Sequence, residues 1–345
     1  MLIRRPVYFE AFACLAGECP DTCCAAWDVV VDGASLARYK ALPGPFGERV
    51  RAALTVDGDG DTCFQTRDGV CPLLTPDRLC AVQLELGEEA VCAVCRAHPR
   101  FIEEYGPLRE ESLACSCPEA VRLMLSSPAE FPTEETGEAA TDCADVDLPL
   151  LNALLPCRER AFGLLRGDGE PAAPVGVRLS RLLDYAWALQ DRLDEGDAAG
   201  LAQVPVPPAA EVRAEGGGVV ETLLNALRGL EILSPEWRKL LDEAVGPAPA
   251  LSPSAGAEYG RFAAYLTYRW FLKADFDGDV YAKAAFTAFG YLTVRALEGR
   301  ADRATLVRLW CKEQEHCEEN MDALAALCWD EPGLSRERLK AALCL

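Results

Sequence analysis

The sequence predicts a mainly α chain: an irregular, cysteine-rich metal-cluster domain with short strands, followed by an all-α helical domain. Three observations predict it. Eleven of the 17 cysteines fall within the first 117 residues. That same stretch is broken by turn signals such as PDTCC, VDGDGDTC, TRDGVCP and SCPEA, leaving little room for long periodic runs. Beyond about residue 147 the pattern changes to long amphipathic helices separated by Pro- and Gly-rich breakers. At 345 residues the chain exceeds the roughly 250–300 at which a single core stops growing, so two domains are expected. Residues 1–127 are read as a cysteine-rich metal or iron–sulfur domain, 128–146 as an acidic linker, and 147–345 as a helical domain.

In chain order, a strand is expected over Trp27 to Val31, followed by helices at 34–42 and 46–55. Alternating segments on either side of a Tyr-Gly-Pro turn in RFIEEYGPLREESL predict a strand pair, and 118–127 a helix. The linker, PAEFPTEETGEAATDCADVD, is acidic and rich in small residues. Helices are then expected at 147–166, 177–195, 217–231, 235–245, 257–273, 278–298, 302–329 and 335–344. A loop-rich first domain is short of core, and bound metal would supply the missing stabilisation.

Composition excludes several classes of function. Lys plus Arg is 34 against 55 for Asp plus Glu, a net charge of −21. A basic phosphate-binding surface is therefore absent and no nucleic acid partner is expected, whereas a cationic partner such as a lysine-bearing protein is compatible. MLIRRPVYFEAFACLAG lacks the apolar core of a secretory signal, and no stretch approaches the roughly 18 apolar residues of a membrane span. A cytoplasmic protein is expected, with any membrane contact peripheral. In that reducing compartment, clustered cysteines point to metal ligation rather than disulfides.

The cysteines run Cys14-x4-Cys19-x3-Cys23-Cys24, Cys63-x7-Cys71-x8-Cys80, Cys92-x2-Cys95 and Cys115-x-Cys117-Pro118. A C-x2-C pair lets two thiolates reach one metal from a tight turn, with partners from elsewhere in the chain. Irregular spacing, a proline after Cys71 and after Cys117, and only two histidines favour an iron–sulfur cluster, with zinc as the alternative. His98, three residues after Cys95, is a candidate fourth ligand or proton carrier set against an ordinary loop histidine. Cys317 and Cys328 fall on an apolar stripe with Leu306, Trp310, Met321 and Leu324, where cysteine acts as a small hydrophobe. Two motifs fail. Residues 57–68 resemble a calcium loop but carry Thr62 in place of glycine and Asp68 in place of glutamate. Residues 215–222 carry Glu221 where a dinucleotide-binding loop needs its third glycine.

The segments YFEAFACLAGECPDTCCAAWDVVVD, CFQTRDGVCPLLTPDRLCAVQLELGEEAVCAVCRAHPRF and LACSCPEAVRLML resemble the flagellin lysine-N-methylase (FliB-type) family. YLTYRWFLKADFDGDVYAKAAF and WCKEQEHCEENMDAL look like its C-terminal landmarks. A looser similarity links the first block to the zinc- or iron-chelating CxxCxxCC family. The resemblance implies an S-adenosyl-L-methionine-dependent enzyme that methylates lysine ε-amines of flagellin, or of another lysine-bearing protein, in the cytosol. It also implies an oxygen-sensitive 4Fe-4S cluster. The matching cysteines are Cys14, Cys19, Cys23, Cys24, Cys63, Cys71, Cys80, Cys92, Cys95 and Cys117; Cys115 falls outside the pattern. The C-x3-C-x2-C signature of radical enzymes is not completed, because Ala26 stands at the third position, and the methyltransferase glycine signature is missing. A zinc- or iron-binding carrier without transferase activity is the alternative function.

Direct methyl transfer needs a neutral amine, and a lysine side chain in water keeps its proton up to about pH 10.4, so desolvation or a nearby base is required. Glu315, His316, Glu319 and Asn320 are candidates, as are Asp275, Asp277 and Asp279. On one helix His316 and Asn320 would lie a turn apart. Tyr265 and Tyr268 are candidate cation-recognising rings, set against an ordinary packing role.

Overall fold

The computed structural model describes the chain except residues 26, 59, 68, 169–172, 209–215 and 245–252, and the side chains of 253 and 254. It is mainly α with short strands. It forms two compact units, one of Phe12–Phe101 with Leu113–Ala120, the other of Met1–Ala11, Ile102–Ser112 and Val121–Leu345. All eleven N-terminal cysteines therefore belong to one unit.

The thiol-bearing unit opens with β2 (Val29–Val30), α1 (Gly33–Ala41), α2 (Gly44–Ala53), β3 (Leu54–Val56) and β4 (Thr62–Phe64), then the short helices α3 (Ala81–Leu86) and α4 (Ala93–Ala97). Asp32 starts α1 by accepting from Ser35 N at 2.9 Å and also takes Ala93 N at 2.8 Å, tying the first turn of α1 to that of α4. Those two amides hold its carboxyl well below the usual range. Strands β2, β4 and β3 form an antiparallel sheet whose central residue Phe64 faces both Val29 and Leu54. The expected helix over 46–55 thus stops at Ala53, because β-branched Thr55 and Val56 pair with β4 instead. The calcium-loop lookalike includes the β3–β4 turn, closed by Asp57 accepting from Asp61 N at 2.9 Å; its Asp59 and Asp68 lie outside the described residues. A small core of Tyr39, Val50, Phe64, Leu73, Val82 and Val91 backs the unit, and Cys71 and Cys92 are part of it.

In the larger unit β1 (Leu2–Arg4) lies between β6 (Leu108–Leu113), to which it is parallel, and β7 (Thr133–Glu135), to which it is antiparallel; β5 (Arg100–Tyr105) completes the order β5-β6-β1-β7. Strand β7 falls in the stretch read as a linker. The helices are α5 (Pro118–Ser126), α6 (Leu148–Arg166), α7 (Val175–Asp194), α8 (Val219–Gly229), α9 (Pro235–Asp242), α10 (Pro253–Trp270), α11 (Ala274–Asp277), α12 (Val280–Leu297), α13 (Arg303–Gln314), α14 (Glu318–Asp330) and α15 (Arg336–Leu343). Side-chain caps explain several starts: Asp147, Ser234, Asp279 and Asp302 accept from Leu150, Trp237, Ala282 and Thr305 N. Helix α12 is apolar almost all round and is packed by α7, α8, α10, α13, α14 and α15. A Cβ on its Gly290 would stand 2.8 Å from Leu266 Cδ1 and 3.0 Å from Trp310 Nε1, so glycine is what lets these helices approach. Among the described residues no helix is long and apolar enough to cross a membrane.

The expected single helix over 302–329 is two. Helix α13 ends at Gln314 and α14 begins at Glu318, with Cys317 extended between them. No glycine or proline marks the break. What stabilises it is the buried Asn320 amide, which donates to Glu313 O at 2.9 Å and so satisfies a carbonyl left open by the end of α13.

Candidate metal centre and cavity

The thiols fall into two wings joined at Cys23 and Cys24. One wing is Cys24, Cys71, Cys80, Cys92 and Cys95. Burial pushes Cys71 up to about 11, partly offset by the Leu73 amide, and the thiols it feels are Cys24, Cys80 and Cys92. Cys80, also raised by burial, feels Cys24 and Cys92. It is the first residue before α3, where the Gln83 and Val82 amides favour its thiolate. Cys92 stands in the same place before α4, and its Sγ lies 3.2 Å from that of Cys95, one helical turn on. Sharing that proton pulls Cys92 down to about 7 and drives Cys95 well up.

The other wing is Cys14, Cys19, Cys23 and Cys117. Burial pushes Cys117 up to about 11, against the Ala120 and Glu119 amides at the start of α5, and the thiols it feels are Cys19 and Cys14. Cys19 is raised by burial and feels Asp21 and Cys14. At the seam, a hydrogen bond between adjacent thiols drives Cys23 up and takes Cys24 down to about 7. Cys23 feels Cys14 and Cys117, whereas Cys24 is felt by Cys71, Cys80 and Cys95. Cys14, Cys23 and Cys95 are exposed.

Two further cysteines are fully buried. Cys63 is fully buried on β4 with Thr55 Oγ1 3.5 Å from its sulfur, and Cys115 is fully buried. His98 ends α4, its amide donating to Val94 O at 3.0 Å and its ring 6.2 Å from that of Trp27. A single zinc ion with bonds of about 2.3 Å would draw its sulfurs to roughly 3.8 Å from one another. Among the described residues the group whose ligand atoms lie within 4.8 Å of one another is Glu231, Cys317 and Glu319, none of them in this unit. In the thiol-bearing unit the Cys92 and Cys95 sulfurs, 3.2 Å apart, are close enough to share one metal.

The candidate catalytic residues lie in the larger unit. Glu315 and His316 occupy the α13–α14 turn and line a cavity of about 490 Å³ with Trp270, Phe276 and Phe286. Because the turn interrupts the helix, His316 and Asn320 do not share a helical face. Asn320 is buried away from the cavity lining, its Oδ1 accepting from Glu231 N at 3.0 Å and its Nδ2 donating to Glu231 O at 3.0 Å. Glu315 is buried; its Oε2 accepts from the Tyr265 hydroxyl at 2.9 Å and lies 3.7 Å from Arg269 Nε. Burial raises its carboxyl, against Arg269, the Cys311 thiol and Tyr265. Glu319 is exposed, its Oε2 3.5 Å from Cys317 Sγ.

The acidic run around 275–279 divides its roles. Asp275 Oδ2 accepts from Asp147 N at 3.0 Å, Asp277 pairs with Lys283, and Asp279 caps α12 and takes Trp329 Nε1 at 2.8 Å. Tyr268 is a packing ring. It stacks on Phe131 at 4.3 Å, and its hydroxyl donates to Arg4 O at 2.7 Å. The cation over it, Arg158, is internal. Sequence reasoning missed the cavity's aromatic wall, although Trp270, Phe276 and Phe286 are signalled by their place around KADFDGD.

No family model matches the chain, and no solved structure matches it. Among characterised proteins it is 28% identical over 138 residues to the lysine-N-methylases of Salmonella choleraesuis and Salmonella typhimurium, an alignment covering 36% of this chain and 33% of each relative. It is equally similar to the flagellar biosynthetic protein FliU of Salmonella muenchen, of which 78% is covered. The chain spans about a third of the length of the two lysine-N-methylases. Over roughly a third of its own length, then, this chain resembles the lysine-N-methylase (FliB) family.

Proposed function

We propose that this chain is a protein-lysine N-methyltransferase that takes its methyl group from S-adenosylmethionine, acts in the cytosol on flagellin or another lysine-bearing protein, and depends on a 4Fe-4S cluster. The observation that carries the reading is the 138-residue alignment with proteins named lysine-N-methylase. The FliU relative's flagellar name supports a flagellar substrate.

The donor set fits an iron–sulfur cluster. Five thiols in one wing and four in the other are all-sulfur ligand sets, the donor type that iron–sulfur clusters use. Cys24, Cys71, Cys80, Cys92 and Cys95 would supply the ligands of one centre, and Cys14, Cys19, Cys23 and Cys117 those of a second. A cluster there supplies one-electron redox chemistry and cross-links a unit with a small core. The chain's own residues lower the cost of holding it: the first turns of α3 and α4 aim amides at Cys80 and Cys92.

A second reading, a zinc- or iron-carrying protein without transferase activity, draws on the exposure of Cys14, Cys23 and Cys95, which suits ligand exchange. One experiment separates them. Protein purified anaerobically is analysed for iron, sulfide and zinc, then incubated with flagellin and methyl-labelled S-adenosylmethionine. Label on flagellin lysines, located by mass spectrometry, supports the transferase. Metal-loaded protein that transfers no methyl group to flagellin or to a panel of lysine-rich proteins supports the carrier.

A further inference from the structure

We propose that the cavity bounded by α10, α11, α12 and the α13–α14 turn binds an aliphatic onium group, a positive charge carried on a carbon chain. A lysine ε-ammonium and the sulfonium of S-adenosylmethionine share that chemistry. The proposal deepens the methyltransferase reading, and rests on it for the choice of these two sources.

Four observations carry it. First, about 490 Å³ is within the range of small-ligand sites, and the wall is aromatic, with Trp270 and Phe286 5.9 Å apart in an edge-to-face pair. Such faces attract cations. Second, two buried polar atoms of lining residues have no hydrogen-bond partner among the described residues: Glu315 Oε1, an acceptor, and Trp270 Nε1, a donor. A buried acceptor left open costs free energy, and Oε1 is the oxygen of that carboxylate still open, since Oε2 is met by Tyr265 and Arg269.

Third, the lining charges do not cancel. Lys273 and Lys283 are each matched by a carboxylate of their own, Glu103 at 2.5 Å and Asp277. Glu318 and Asp322, at the rim and one turn apart on α14, have no ion-pair partner among the described residues. Like charges at that spacing repel, so a cation between them removes a repulsion as well as adding an attraction. Fourth, the wall already accommodates such a group: the Lys273 ammonium lies 5.4 Å from the centre of the Phe276 ring.

The test measures binding to the full chain without turnover, by ligand-observed NMR and tryptophan fluorescence. The probes are Nα-acetyl-lysine methylamide against its uncharged ε-acetylated form, and S-adenosylmethionine against S-adenosylhomocysteine, which lacks the positive sulfur. At least one charged probe should bind on the order of tenfold or more tightly than its neutral counterpart. Glu315→Gln, which keeps shape and removes charge, and Ala325→Leu, which narrows the cavity, should each weaken it. Should Glu315→Gln fail to fold, Ala325→Leu and the surface double variant Glu318→Gln/Asp322→Asn decide. Which charged probe responds identifies the source. Absence of binding by both, equal binding of the neutral forms, or binding unchanged in folded variants overturns the proposal. Onium binding in a protein that transfers no methyl group would sink only the enzymatic reading. Methyl transfer untouched by these variants would sink only the cavity.

Discussion

The same residue type does opposite work in the two units. In the smaller one, cysteines sit at helix starts, in turns and at the surface, in mutual electrostatic contact and beside backbone amides. In the larger one Cys157 and Cys328 fill gaps between helices, donating to Ala153 O at 3.2 Å and to Ala325 O at 3.1 Å. Cys317 instead leaves its expected apolar stripe for the α13–α14 turn, its sulfur 3.3 Å from Glu231 Oε2, and Cys344 is exposed. Sulfur chemistry is thus set by company and not by identity. Thiols gathered at turns have backbone amides that favour their thiolates, and isolated buried thiols act as small hydrophobes.

The comparison can be broken first at its strongest point. Cys92→Ser with Cys95→Ser should abolish metal binding at that wing and unfold the smaller unit, since thiolate metal sites contribute on the order of 10 kcal/mol to folding. Metal analysis and amide hydrogen exchange check this; full metal content in the double variant would refute the ligand assignment. The larger unit should instead fail through its own polar core. Arg158 is fully buried in a two-pronged pair with Glu110 and also donates to Tyr268 O at 3.1 Å. Arg158→Ala leaves that carboxylate buried alone and should cost about 3–5 kcal/mol in chemical unfolding, with metal content unchanged.

A third difference lies in pH. Burial pushes Glu313 up to about 7, against the Leu233 amide donating to it at 2.7 Å and the nearby Lys312 charge. Because the folded state holds its proton more tightly than the unfolded chain, this group's contribution is full below about pH 4.5 and is lost as pH rises through about 7. Glu313→Gln should therefore raise stability at pH 8 by about 1–3 kcal/mol and by little at pH 5, read as melting temperature against pH. The smallest effect belongs to Cys328→Ala, which should cost about 1 kcal/mol and leave metal content unchanged.

Legibility followed the range of the physics. Helices α6, α7, α12 and α15 were readable because a 3.6-residue apolar rhythm is written locally. Helices α3 and α4 were not, because their starts carry cysteine in place of the usual Ser or Asp and they last under two turns. Strand β1 was invisible for another reason: three residues carry no period, and its partners lie about a hundred residues on. The break between α13 and α14 depends on one buried amide, which no propensity reports. The number of cysteines raised the expectation of a metal centre, but linear spacing says which thiols are close along the chain and not in space. That is why the neighbours Cys23 and Cys24 could be sorted into different wings only by their surroundings.

Strand β1 has a consequence for biosynthesis. Leu2 to Arg4 pair with Leu108 to Glu110 and with Thr133 to Glu135, so on the ribosome this strand has no mate until both distant segments have emerged. At about 5–20 residues per second that interval lasts on the order of ten seconds. All eleven thiols emerge within the same interval, and nearly all the helices that build the larger core are made afterwards. The thiol-bearing unit is therefore fully synthesised before most of the larger unit's chain exists, and can fold ahead of it.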